Sequence, residues 1–333
     1  MMLRHSLIAA FLLLACAAGD ALAYRWERCG WDHERLNWDH SPVRFRVDGT
    51  TFPSTSLWRF ALAQAVDRFN RSPADFRYEL TWGEPGVSRR NHENEIWWSS
   101  SINPPAVTRT WYPRHARCVI KEADVIFNTM GGFNIVLGLG DKANFWPYGG
   151  SFRPFQNAVL HEIGHAQGLN HTPDTYSIMG QEWDHITANG ADATLYPGED
   201  AIAGSVDTYG LHPTEVVEDL GTTHWQWNGR ASGAYGQHDR TRIFVSDREA
   251  LNVGGAEPVY VVAPGDRVVV ELGFENMGAT PWPVTVGYYL STDVLIDRSD
   301  LLLDSFDTVL ERDRMNVQAR VLTIPSSTPT GRR

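Results

Sequence analysis

Apolar and polar residues in the first two-thirds of the chain follow two rhythms. Residues 43–48 alternate as Val-Arg-Phe-Arg-Val-Asp, the period-two pattern of a strand with one buried face. Within 54–70, Trp58, Leu62, Ala65, Val66 and Phe69 recur at spacings of three and four, which predicts a helix, and Pro53-Ser54-Thr55-Ser56 supplies residues to cap its start. Residues 76–82 and 95–99 read as further strands, separated by a turn-rich stretch over 83–94. Val125-Ile126-Phe127 marks a short buried strand over 124–128. Gly-rich loops over 130–150 lead to a helix over 154–167, with Pro154 in its first turn and Gly168 at its stop. A last helix is expected over 198–209, with Asp200 near its start and Gly210 after its end.

Beyond Leu211 the pattern changes, at His212-Pro213-Thr214. Residues 222–255 are rich in Gly, Trp and Asn and hold one short β-type run, 242–245. Four more β-type runs follow at 259–262, 267–274, 284–290 and 317–324, with turn residues between them, as in a β-sandwich. The fold class expected is therefore α+β: a mixed sheet with helices, then a sandwich.

The first 23 residues resemble neither part. Arg4 and His5 precede an apolar run over 7–18, and Ala21-Leu22-Ala23 offers a small-residue cleavage site, so the segment reads as an export signal. No later stretch has the ~20 apolar residues of a transmembrane helix. A second reading takes Leu13-Leu14-Ala15-Cys16 as a lipobox, which would anchor the chain by a lipid on Cys16. Removal of the signal leaves Cys29 and Cys118 as an even pair, and one disulfide is expected in an oxidising compartment. The expected location is secreted, extracellular or periplasmic. A formal net charge of −11, unchanged by loss of Arg4 and Asp20, argues against a nucleic-acid partner.

The chemistry concentrates in one stretch, His161-Glu162-Ile163-Gly164-His165-Ala166-Gln167-Gly168-Leu169-Asn170-His171. A helix places His161 and His165 on one face with Glu162 beside them. Gly168 lets the chain turn out of the helix and return His171 to the same ion. Three imidazoles leave the fourth position of a tetrahedral zinc site open, the arrangement of catalytic rather than structural zinc. Glu162 is then placed to take a proton from the attacking water and deliver it to the leaving amine.

This stretch resembles the signature of the metzincin metallopeptidases, H-E-x-x-H-x-x-G-x-x-H followed by a methionine turn. Ser177-Ile178-Met179-Gly180 looks like that turn, with Met179 as the floor beneath the metal. Two flanks are similar to matrixins: Glu122-Ala123-Asp124-Val125-Ile126-Phe127-Asn128 before the active-site helix, and 199–210 after it. The resemblance covers roughly 40–211 and implies a zinc endopeptidase with His161, His165 and His171 as ligands and Glu162 as catalytic base. Departures accompany it: Gly180-Gln181-Glu182-Trp183 replaces the matrixin Pro-x-Tyr, and Gln181 stands where astacins and serralysins carry tyrosine. His92 and His115 fall in the region of the matrixin structural metals without matching their loops. Arg28-Cys29-Gly30 resembles the core of the matrixin cysteine switch, an alternative to the disulfide, but a mature chain expected to start only a few residues upstream would lack the propeptide that positions such a thiol, and Asp32 and His33 do not complete the family pattern.

The C-terminal run resembles the bacterial cell-adhesion-related domain, an immunoglobulin-like sandwich, through Val262-Ala263-Pro264-Gly265-Asp266, Glu275-Asn276-Met277-Gly278, Tyr289-Leu290-Ser291-Thr292-Asp293 and residues 297–303. One or two more strands are expected after Thr330-Gly331, so an incomplete sandwich is expected over residues 256–333. The domains expected are thus the signal at 1–23, a catalytic domain at 24–211, a linker or start of the second domain at 212–255, and the sandwich at 256–333. The partners expected are a protein or peptide substrate and, through the sandwich, a cell surface or matrix. Ca²⁺ has no clear motif, although the acidic turn over 293–300 offers carboxylates. His33, His40, His212, His224 and His238 lack ligand spacing, and the 13 tryptophans read as packing before they read as a carbohydrate platform. The competing functional class is a non-catalytic surface-binding protein with a vestigial zinc site.

Overall fold

In the computed structural model the chain is described at residues 24–29, 34–84, 87–113, 118–172, 178–180, 187–189, 192–194, 197–214, 220–223, 225–232, 235–255, 258–293, 296–312 and 316–329. Residues 1–23 with Cys16, as well as His33, His115, Ser177, 181–183 and His224, lie outside the described residues. A short strand, β1 (Arg25–Trp26), leads in. Then β2 (Val43–Asp48), α1 (Leu57–Asn70), β3 (Tyr78–Glu84), β4 (Glu95–Ser99), β5 (Ala106–Trp111) and β6 (Glu122–Asn128) follow in chain order. After the loops come α2 (Phe155–Gln167), β7 (Leu169–Asn170) and α3 (Glu199–Tyr209). Among the described residues no helix is long and apolar enough to cross a membrane.

The strands β2 to β6 form one sheet in the order β3-β2-β4-β6-β5. β3, β2, β4 and β6 run parallel, and β5 lies antiparallel at the edge. Period-two alternation sorts side chains onto two faces. On one face Val43, Phe45, Val47, Ile96, Val125 and Phe127 join a single core with Ala61, Leu62, Ala65, Val66 and Phe69 of α1 and Phe155, Val159 and Ile163 of α2. An aromatic cluster closes it, in which the Trp98 and Phe155 rings stack 5.3 Å apart and Phe127 meets Phe155 edge-on at 4.9 Å. The apolar stripe predicted for the first helix is thus what seats α1, and Ser56 is its cap, accepting the Trp58 N–H.

The opposite face has a smaller core, Trp97, Ile102 and Ile126, packed by Val87 and Val107. Charge shares this face. Register pairs Glu95 with Asp124, and Glu122 lies two residues along the same strand. All three are at most 1% exposed. Residues 87–94 fold over them, and the backbone does much of the neutralising. Ser88 N donates to Glu95 (2.8 Å), while Asn91 N and His92 N donate to the two oxygens of Glu122 (3.1 and 2.7 Å). To present those N–H groups Arg90 and His92 adopt φ of 61° and 69°, a region that non-glycine residues seldom enter. Among the described residues neither oxygen of Asp124 meets a donor in full hydrogen-bonding geometry, although the Glu95 backbone N–H and the Arg89 charge lie close enough to oppose its rise. Burial, then the charges of Glu122 and Glu95, push its carboxyl up to about 8.

Cys29 and Cys118, 89 residues apart, are joined in a disulfide with Cα atoms 5.8 Å apart. The bond ties the N-terminal segment to the run into β6, beside the backbone bond from Asn37 N to Cys118 O.

Later residues are β-rich: β8 (Leu220–Thr223), β9 (Ile243–Val245), β10 (Arg248–Glu249), β11 (Arg267–Asn276), β12 (Trp282–Leu290), β13 (Leu301–Leu310) and β14 (Asn316–Thr323). One sheet has the order β8-β11-β9-β10 with β14 also on β11, and β12 and β13 make a separate antiparallel pair. Val268, Leu322 and Ile324 from the first sheet share a small core with Tyr288, Val286 and Phe306 from the pair. The molecule is thus a mixed α+β protein with several sheets and a few helices. Two features differ from expectation: Pro154 stands at the N-cap of α2 with an extended ψ of 115°, and β13 occupies residues 301–310, which none of the expected strands covers.

Candidate metal centre

α2 is buried almost all round, from Phe155 to Gln167, with only His165 partly accessible. Its last turn is fastened by side chains from distant segments. Tyr78 Oη donates to Ile163 O (2.7 Å), Trp38 Nε1 to Ala166 O (2.8 Å) and Tyr209 Oη to Gln167 O (2.7 Å). Gly168 then ends the helix at φ 108°, where a side chain would be strained and would collide with Leu36 O. The chain reverses through β7, pairs with β1, and delivers His171.

The result is a convergent triad. The Nε2 atoms of His161, His165 and His171 lie 3.1, 3.1 and 3.3 Å apart. Nitrogen ligands in a tetrahedral zinc shell with bonds of ~2.0–2.1 Å are spaced ~3.3–3.4 Å apart, so the triangle has the right size. The outer ring nitrogens fix the tautomers: His161 Nδ1 donates to Ile178 O (2.6 Å) and His165 Nδ1 to Leu169 O (2.9 Å). A carbonyl only accepts, so both rings carry their hydrogen on Nδ1 and point an Nε2 lone pair at the common centre. Converging lone pairs repel unless a cation lies between them. A proton does not serve, since burial, then the neighbouring imidazoles, holds His161 well below its ordinary value and His165 at about 4, and burial lowers His171. The triad is therefore able to coordinate a divalent metal such as zinc, and it is the one such cluster among the described residues.

Glu162 is 6% exposed and neighbours the triad. Its Oε2 accepts from Thr108 Oγ1 on β5 (2.7 Å), and the same hydroxyl lies 2.8 Å from Glu162 O, so one hydrogen is shared between them. Burial pushes the carboxyl up to about 7, with the Thr108 contacts opposing the rise. Triad and carboxylate open on a cavity of about 440 Å³, walled on one side by Ala106, Val107, Thr108 and Thr110 of β5 and on another by Glu27 and Asn170.

Met179 is 1% exposed and packs against α2 at Gly164, where a Cβ would press into its sulfur. Its carbonyl accepts from Thr172 N (3.0 Å), and the carbonyl of its neighbour Ile178 holds His161. Cys29, the other residue considered as a metal-directed thiol, is in the disulfide. His92 turns its backbone to Glu122. His40 is an exposed partner of Asp39 (2.9 Å).

Thr108, Gly164 and Glu27 were not singled out by the sequence pattern. Thr108 belongs to a strand, Ala106–Trp111, that lines the cleft with Ala106, Val107, Thr108 and Thr110, and its run Ala-Val-Thr-Arg-Thr-Trp is too polar to stand out as a strand. No protein-family model matches the chain and no curated protein matches its sequence, so the reading of the site rests on its own geometry.

Proposed function

We propose that the chain is a secreted zinc-dependent endopeptidase of the metzincin type. In this reading residues 24–211 form the catalytic domain, and the sandwich over 256–333 brings it to its substrate or surface. One juxtaposition carries the proposal: a buried carboxylate, Glu162, held by Thr108 beside three convergent imidazoles, in a cleft that runs along the sheet's edge strand. A vestigial metal site has no need of that carboxylate or of the hydroxyl that orients it.

A divalent ion held by the triad would lower the pKa of a bound water and polarise a carbonyl. The protein's own groups supply the rest. Glu162 accepts the proton of the attacking water and passes it to the leaving amine. Its raised pKa suits that exchange near neutrality, and a dication nearby would shift it down and keep it ionised. The Nδ1 bonds to Ile178 O and Leu169 O keep the imidazoles aimed. Among the described residues β5 is paired on one side only, by β6. Its outer N–H and C=O groups can therefore pair with an extended peptide laid along the cleft, which favours protein substrates over small molecules.

The test is zinc analysis of the purified chain combined with cleavage of casein and a peptide library. Cleavage should stop with a chelator, return with zinc, and fail in Glu162→Gln protein that still binds zinc. A folded, zinc-loaded wild-type chain that cuts no peptide would sink the reading in favour of a binding protein.

A further inference from the structure

Two carboxylates line the metal cleft, and the chemistry proposed above uses only one of them, Glu162. The other is Glu27. Its backbone is pinned on both sides: Glu27 N donates to Gly168 O (2.7 Å), and Glu27 O accepts from Leu36 N (2.9 Å). Two residues away the chain is fixed by the Cys29–Cys118 bond, and just before it Arg25 and Trp26 register with Asn170 and Leu169. These ties hold Glu27 in the wall of the cleft that His171 also lines.

Among the described residues no lysine or arginine lines this cleft. Glu27 also borders a second cavity of about 530 Å³ with Tyr24, Arg25, Trp26, Arg28 and Asn170, so it and Asn170 line both spaces, and the arginines line only the second. Among the described residues its carboxylate has no hydrogen-bond or ion-pair partner, and partial burial raises its pKa. A half-buried carboxylate without a donor is costly, and a donor arriving with a ligand recovers that cost. A cation recovers most, because a charge-assisted bond is about twice as strong as a neutral one. The net charge of −11 draws the same class of ligand toward the chain.

From this we infer that Glu27 is a specificity-determining residue, which seats a basic side chain, lysine or arginine, of the peptide lying in the metal cleft. The assignment rests on the endopeptidase reading and names its substrate class. Glu27 acts by binding, without touching the reacting atoms, so its signature is a ratio between substrates.

The experiment uses the full zinc-loaded chain and a series of peptides that differ by Lys, Arg, Ala or Glu at single positions around the cut. Wild type should prefer Lys or Arg over Ala at one position by at least ~10-fold in kcat/KM, the scale of one charge-assisted bond. Glu27→Gln should bring that ratio within about twofold of unity, and Glu27→Lys should turn the preference toward Glu, since the sign of the wall charge decides it. Glu79→Gln, an exposed carboxylate paired with Arg44 away from the cleft, should leave the ratio as in wild type. A Lys-to-Ala ratio that survives in Glu27→Gln overturns the assignment while leaving the endopeptidase intact. Binding of the same labelled peptides to zinc-loaded Glu162→Gln protein separates the two ideas. If wild type cuts nothing but basic peptides bind in a Glu27-dependent way, the endopeptidase reading falls and the basic site stands. If basic peptides bind no better than neutral ones, the site falls.

Discussion

The two faces of the N-terminal sheet pose the same electrostatic problem and solve it differently. On the helix side Glu162 is buried and its carboxyl rises to about 7. On the far side Asp124 is buried and its carboxyl rises to about 8. Burial is the first cause in both. The faces diverge in what surrounds the raised carboxyl. Glu162 has one hydroxyl, three lone-pair nitrogens and a cavity beside it. Asp124 has two like charges beside it and a lid, residues 87–94, whose N–H groups are spent on Glu122 and Glu95. A perturbed carboxyl therefore points to chemistry only where a substrate and a complementary group can reach it. Sealed, the same perturbation is a cost to the fold.

The sharpest test substitutes both. Glu162→Gln should lower kcat by ~10²- to 10⁴-fold or more with zinc retained, the range for loss of a positioned base. Asp124→Asn should leave kcat within a few-fold, because no atom of Asp124 faces the cleft. Peptide cleavage with zinc content measured alongside checks both. Loss of turnover in a folded, zinc-loaded Asp124→Asn protein would mean that the two faces are coupled and the contrast drawn here is wrong.

The disulfide joins the segment that walls the cleft to the run into the strand that carries Asp124, so breaking it probes both regions together. Cys29→Ser should lower stability by ~2–5 kcal/mol, as expected for a bond closing a long loop. Denaturant or thermal unfolding reads this directly. Basal peptidase activity should not rise. A rise would revive the alternative in which a Cys29 thiol blocks the metal.

How much of this contrast was legible in the sequence differs between the faces. The helix side announces itself: an i, i+4 histidine pair, a glycine stop and a third histidine encode their geometry locally, and α2 with the turn at Gly168 follows the spacing residue by residue. The same local logic placed β2, β4 and α1 at or within three residues of their observed ends. The far side hides. Glu95, Glu122 and Asp124 sit in strands that read as apolar, and only the parallel register of β4 on β6, a long-range fact, sets Glu95 against Asp124. β5 was missed for a related reason. Its cleft face is small and polar because it borders a cavity, so the hydrophobic signal that finds strands is weak where the strand matters most. Glu27 depends on chain reversal at Gly168 and pairing of β1 with β7, which no window around Glu27 contains.

The cost assigned to Asp124 has a pH signature. Its carboxyl is raised in the fold, so folding takes up a proton between the ordinary value of 3.8 and about 8. The stability linked to that proton is full below the unfolded pKa and is lost as pH rises through the folded one. Asp124→Asn removes the titration. The variant should unfold at a higher temperature than wild type at pH 8, by at least ~2–4 °C, the shift that about 1 kcal/mol produces in a domain of this size. The gain should shrink toward pH 4. Melting curves across this range decide it, and a variant less stable than wild type at pH 8 would show that the charged form of Asp124 is needed, reversing its role in the comparison.

The smallest effect concerns the hydroxyl that distinguishes the open carboxyl from the sealed one. Thr108 Oγ1 donates toward Glu162 Oε2 and lowers its pKa against the push of burial. Thr108→Val keeps shape and removes the donor, so the carboxyl of Glu162 should rise further. As the base must be ionised to accept a proton, the acid limb of kcat/KM should move to higher pH by ~0.4–1 unit, the equivalent of one hydrogen bond worth ~0.5–1.5 kcal/mol. The plateau at high pH should fall less than activity on the limb, and zinc content should not change. Thr110→Val, which lines the same cavity without a bond to Glu162, serves as the control and should leave the limb in place. If the limb of Thr108→Val stays put or moves toward acid, Glu162 is not the group that titrates in turnover, and the hydroxyl on β5 serves packing alone.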